Sequence, residues 1–439
     1  MLRVLCYFTG FVLLFVLPVS LQAQTLQDRL EGIFEELLSV SLEGSPGAHG
    51  EHFKPSNVAN SGRIISSLNN FISSSVSNFP LSSTVAGVTF DFSSGRPVST
   101  STSLGPIFAE RAQTIGRNRI NFGFNFSHID FTKIRGLDTE DVRLTFIHQD
   151  VGNPGLGDSP FEFDTIELFL NLKIRATVFA FFTTYGITDR LDVGVAVPFV
   201  NVRLKADPIA IMDSYTYLAS GQAFHNFGEN EDGDPILTTR PTAISDDATG
   251  IGDIALRLKY NILRDKGIDL AALAEYRLDT GEEPDFLGTG DDRMRLMLVA
   301  SRVLGDFAPH INLGYEMKTG ELDRDEIDVF IGYDQKLTEN LTLAVDFLGE
   351  YQIGEAKAER EFPEPITIEP DGLPTTSYVK RVSFTNIPDF ESDHNVNGSV
   401  GFKFSPKESL MIIGNAIVPL NDGGLRADVI PTLGFEFSF

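Results

Sequence analysis

Cysteine is almost absent from the 439-residue chain: the single one, Cys6, lies ahead of the apolar core of an N-terminal leader. Disulfides, thiolate catalysis and cysteine-held metals are therefore excluded together from the chain that follows the leader. Basic clusters are equally scarce. Lys and Arg total 35 against 61 Asp and Glu, a formal net charge of -26, so a surface that tracks nucleic-acid phosphates is excluded and no nucleic-acid partner is expected. Past the leader no 18 consecutive residues are apolar, which rules out a transmembrane helix. Neither HExxH nor GxSxG occurs, and the seven histidines are scattered, so no catalytic residue, metal centre or cofactor is expected and the chain is not read as an enzyme. The composition of a disordered chain is lacking too: 42% of residues are hydrophobic and 36 are Phe, which suits a large ordered structure.

Residues 1–23 read as an export signal, with Arg3 before a short apolar run at 11–17 and Ala23 ahead of a cleavage point at Gln24. In residues 25–40, Leu26, Leu30, Ile33, Phe34, Leu37 and Leu38 recur with the period of an amphipathic helix. Ile64, Ile65, Leu68, Phe71 and Ile72 suggest a second, short helix. Residues 24–105 are thus expected to form a small helical and loop region, either a periplasmic tail or a plug.

From about residue 119 the period becomes two. Ile120, Phe122, Phe124 and Phe126 share one face of RINFGFNFS while Asn121, Gly123, Asn125 and Ser127 share the other. The pattern recurs to the C-terminus, and the connections alternate between tight turns (186–189, 264–267, 305–308, 336–340, 405–409) and longer loops. Outer-membrane barrels have this asymmetry, with short periplasmic turns and long extracellular loops, whereas a soluble sandwich has no reason to keep it. The last strand alternates to the end of the chain, and Phe435, Phe437 and Phe439 there resemble a signal for the outer-membrane insertion machinery. Pro431 on that strand predicts a local irregularity. The fold class expected is all-β: an antiparallel transmembrane β-barrel over residues 106–439, in the outer membrane of a Gram-negative-type bacterium. About 12 strands are expected, or 14 if residues 84–93 and 139–149 also join. Residues 162–186 would reach roughly 80 Å if fully extended, so that segment must run beyond the membrane or contain a turn.

Charge marks the face away from lipid. Asp253, Arg257 and Lys259 share one face of their strand, Glu275, Arg277 and Asp279 one face of the next, and the intervening turn places Arg257 opposite Glu275. On the lipid side near the midplane each Arg or Lys would cost about 2–4 kcal/mol, so an inward direction is expected. His310, Asn312 and Glu316 join them as candidate lumen-lining residues, serving either as structural ion pairs or as a selective constriction. The acidic runs 229–234, 282–285, 321–326 and 355–364 fall in the long loops, where solvated extension is the default and divalent cations are the alternative partner.

Several phrases go further. TYGITDRLDVGVAVPFV at 184–200, GIGDIALRLKY at 250–260, RLDTGEEPDFLGTGDD at 277–292 and HINLGYE at 310–316 resemble the outer-membrane family of the meta-cleavage pathway of phenol degradation, over about residues 105–439. The resemblance implies a channel for passive uptake of small molecules, aromatic or hydrophobic in character. The other reading is a surface-exposed structural or adhesive barrel that acts through its long acidic loops. Expected partners are outer-membrane lipids and small solutes. A hydrophobic route would require inward aromatics, for which Phe169, Phe179 and Phe181 qualify if their strand keeps its register.

Overall fold

The computed structural model describes residues 24–38, 41–42, 52–53, 59–77, 88–91, 96–99, 104–151, 156, 162–221, 223–264, 267–320, 324–355, 363–369, 379–407 and 410–437. The signal segment 1–23 and Phe439 lie outside them. Two helices open the described chain: α1 (Leu26–Leu37) and α2 (Ala59–Ser77). Thr25 caps α1: its hydroxyl accepts from the Asp28 backbone N–H at 3.1 Å, and Asp28 Oδ2 accepts from the Thr25 N–H at 2.9 Å.

The barrel wall is built from β1 (Arg119–Ile134), β2 (Leu172–Thr188), β3 (Leu191–Ala206), β4 in two pieces (Ile244–Ile251 and Ile254–Leu263), β5 (Asp269–Leu278) and β6 (Arg293–Ser301). It continues with β7 (Phe307–Lys318), β8 (Asp325–Thr338), β9 (Leu341–Ile353), β10 (Asn395–Lys407), β11 (Leu410–Pro419) and β12, again in two pieces (Leu425–Ala427 and Ile430–Phe437). Every neighbouring pair is antiparallel, and β12 closes the cylinder on β1 through Leu433↔Phe126, Phe435↔Phe124 and Phe437↔Phe122. The wall therefore has twelve strands. Residues 143–147 do not join it; they form a separate four-stranded sheet with Thr165–Phe169, Ile209–Asp213 and Thr238–Thr239. Val88–Asp91 touches β1 only at Arg119 and Ile120, beyond the end of β12.

The irregularity expected at Pro431 is a break in β12. Residues 428–429 leave the ladder, and the register with β1 shifts between Arg426 and Ala427. Pro431 itself lies opposite Ala416.

The wall is inside out. Leu258 and Tyr260 are 46% and 48% exposed, while Lys259 between them is 1% exposed. An apolar band outside and charge inside is the distribution a bilayer selects. Toward the long-loop end the polarity reverses. On β2, Phe179 and Phe181 face outward, but above them Lys173, Arg175 and Thr177 take the outward positions and Leu172, Ile174, Ala176 and Val178 turn inward. Outward pairs there are ionic, as in Arg175 with Asp130 at 2.6 Å. From Leu172 to Gly186 the strand keeps its register; what changes is which side of it meets water. The inward apolar side chains pack with the buried faces of α1 and α2 in one core.

Both helices sit at that same end. Asp285 Oδ1 in the β5–β6 loop accepts from the Leu26 N–H at 3.0 Å, Arg29 pairs with Asp246 at 3.0 Å, and Ser73 Oγ donates to the Gly288 carbonyl at 3.0 Å. One of the acidic runs thus serves as a dock for a helix N-terminus, where negative charge is favoured.

Candidate functional site: the barrel lumen

Most of the candidate lumen residues point inward and are paired. Arg257 lies opposite Glu275 in register and its Nε donates to Glu275 Oε2 at 2.6 Å; Arg277 Nε donates to the other oxygen at 2.9 Å. Glu316 accepts from Arg295, which also meets Asp328 at 2.9 Å and Glu350 at 3.4 Å. His310 Nε2 lies 3.0 Å from Asp346 Oδ1. Asp253 differs from the expectation of a lumen-wall residue. It stands at the break in β4, and its carboxylate accepts from the backbone N–H groups of Gly281 and Thr289, each at 3.1 Å, so it orders the β5–β6 loop at the rim. Phe179 and Phe181 also depart from the inward placement a hydrophobic route would need: they are 43% and 49% exposed, on the lipid side. Phe435 and Phe437 are in place on the closing strand, with Phe437 stacked on Phe122 at 5.8 Å.

The partners of Lys259 and Asn312 come from a segment that periodicity does not reveal. Residues 104–118, before β1 begins, cross the interior near the short-turn end and bond to one strand after another. Leu104 N–H donates to Thr342 Oγ1 at 3.0 Å, Ala112 N–H to Ser301 Oγ at 3.0 Å, and Ile115 N–H to Asp192 Oδ2 at 2.9 Å. Asn312 holds Glu110 at both backbone groups, 2.7 Å from its N–H and 2.8 Å from its carbonyl. The Glu110 carboxylate pairs with Lys259 at 2.8 Å. Arg111 donates from Nε to Asp334 Oδ1 at 2.9 Å, and both side chains are fully buried. The crossing leaves no space at the β2–β3 turn: a Cβ on Gly186 would fall 1.8 Å from the Gly116 carbonyl oxygen, so only glycine fits there.

Between the end of α2 and this strap lies a cavity of about 100 Å³ that is partly open to solvent. Its lining mixes apolar Phe108, Phe131, Met297, Phe330 and Ile417 with charged Arg257, Glu275, Arg295, Glu350 and Arg426. Glu316, Glu326 and Asp328 come within 4.8 Å of one another just above it. Arg295 and Lys318, the latter 2.7 Å from Glu326, answer their charge. Sequence reasoning found Glu316 but missed Glu326 and Asp328, although Glu326 lies directly opposite Glu316 and Asp328 opposite Gly314, where a turn count from β7 into β8 would have placed them.

A closed cylinder with an apolar exterior band, charged interior and long loops at one end defines a transmembrane β-barrel of the outer-membrane type. Residues 155–360 match the model of the family described as "Putative MetA-pathway of phenol degradation", the family that the motifs resemble. Among solved structures the chain is similar to an outer membrane channel from Pseudomonas putida F1, at 11% identity and a TM-score of 0.41, covering 75% of this chain and 98% of that one. It is also similar to a Pseudomonas aeruginosa FadL homologue, at 10% identity and a TM-score of 0.30 over 73% and 90% of the two chains. A third is the TodX monoaromatic hydrocarbon channel in a deletion mutant, at 11% identity and a TM-score of 0.33 over the same shares. No curated protein matches the chain.

Proposed function

We propose that the protein is an outer-membrane channel for passive uptake of small, largely apolar molecules, aromatics among them. Helices α1 and α2 act as its outer insert and residues 104–118 as its inner one. The observation that carries this reading is the lumen cavity between α2 and the strap, whose lining offers aromatic and aliphatic side chains to an apolar solute and charged ones to its polar substituents. The phenol-degradation description of the matched family agrees with that chemistry. A solute enters among the long loops, rests in the cavity and leaves past the strap when the strap shifts. No bond is made or broken; the concentration gradient drives transport. Phe435 and Phe437 on the closing strand serve insertion into the membrane.

A clamp on the strap tests the path. The only native cysteine lies in the leader, so a disulfide between Ala112→Cys and Ser301→Cys, whose parent groups touch at 3.0 Å, ties the strap to β6 and nothing else. Uptake of a labelled aromatic by intact cells should fall on oxidation and recover on reduction. Uptake indifferent to the clamp would reject the strap as the gate.

A further inference from the structure

We infer that the cavity selects aromatic solutes bearing a carboxylate or similar anionic group, with Arg426 as the anion-binding residue; this deepens the channel reading and rests on it. Arg426 is 7% exposed and lines the cavity beside Ala427, which lies opposite Phe131 in register. Its neighbours in the same wall are apolar: Phe131, Ile417 and Ile430. The other cavity arginines are ion-paired. Arg257 is held by Glu275 at 2.6 Å, and Arg295 by Asp328 at 2.9 Å and Glu350 at 3.4 Å. Arg426 makes no direct ion pair among the described residues; the Glu350, Asp393 and Asp422 carboxylates act on it only from a distance. Its Nη groups donate only to neutral oxygens, those of the Asn395, Asn397 and Asn421 side chains and the His394 carbonyl, and its Nε is buried with no hydrogen-bond partner.

A buried guanidinium with no counter-ion in contact is costly, and a planar anion is the partner its geometry fits best. The contact to Asn397 Oδ1 is long, 3.4 Å, and is the one a ligand oxygen can displace. Glu350 also lines the cavity, and it lies 3.4 Å from Arg295, which it shares with Glu316 and Asp328. A ring against Phe131, Ile417 and Ile430 therefore places a ring-borne carboxylate at Arg426. A neutral ring occupies the same wall without that contact.

The test is binding of 4-fluorobenzoate and of neutral 4-fluorobenzyl alcohol to the detergent-solubilised full chain, read by fluorine NMR near pH 7. The wild type should prefer the benzoate. Arg426→Gln should weaken benzoate binding about tenfold or more and leave the alcohol unchanged, while Arg426→Lys, which keeps the charge but not the planar fork, retains only part of the preference. Heat-modifiable migration on a gel checks that each variant is a folded barrel. Equal benzoate affinity in the wild type and Arg426→Gln would overturn the assignment, and so would an equal loss of both ligands in a folded variant. Because binding is read without transport, this result is separate from the channel reading, which fails if cells show no protein-dependent uptake.

Discussion

Arg111 and Asp334 are buried together where the strap meets β8. Removing one partner of such a pair strands a charge and typically costs about 3–5 kcal/mol, whereas replacing both by apolar groups can be neutral. Asp334→Asn should therefore loosen residues 104–118, seen as faster proteolysis of the strap in an otherwise intact barrel. The apolar double change Arg111→Met with Asp334→Leu should recover much of that loss. The inward ladder was legible at this scale: the length of the turn between β4 and β5 is enough to place Arg257 against Glu275. Glu110 and Arg111 were not legible, because an irregular segment has no period to say which way a side chain points.

Strand β2 carries the lesson at the scale of elements. Its alternation is plain in the sequence, yet alternation names two faces without saying which is dry. Below Phe179 the outer face meets lipid; above it the outer face meets water and the inner face meets α1 and α2, so the apolar set moves from odd to even positions with no change of register. That is why Phe179 and Phe181 read as candidates for the lumen and lie outside it. Phe179→Arg should lower barrel stability by up to about 2–4 kcal/mol, while Thr177→Arg, two residues further up, should be tolerated; urea unfolding followed by gel migration measures both. Helix α1 offers a pH test. Backbone and side-chain hydrogen bonds from Thr25 hold the Asp28 carboxyl below its ordinary value. A carboxylate with a depressed native pKa contributes stability above its unfolded pKa and loses it as pH falls through the native one. Amide protection in the first turn of α1 should thus fade at pH values below the usual carboxylate range, and Asp28→Ala should abolish that dependence in hydrogen exchange.

For the whole molecule, strand number and handed order of loops followed from the sequence because a membrane imposes both: closure needs every strand paired, and the short turns all fall at one end. What fills the cylinder was not legible. The charges that line it are balanced by a strap and capped by helices whose own sequence shows only amphipathicity, so the cavity exists only once these parts are brought together. The central claim is that this cavity is a passage. Its most direct measurement is uptake of a labelled small aromatic, beside a sugar of matched size, by intact cells with and without the protein, the lipopolysaccharide leaflet serving as the barrier. The account predicts faster entry of the aromatic than of the sugar, lost when the 112–301 disulfide closes. Entry of the aromatic at the same rate with and without the protein would contradict it.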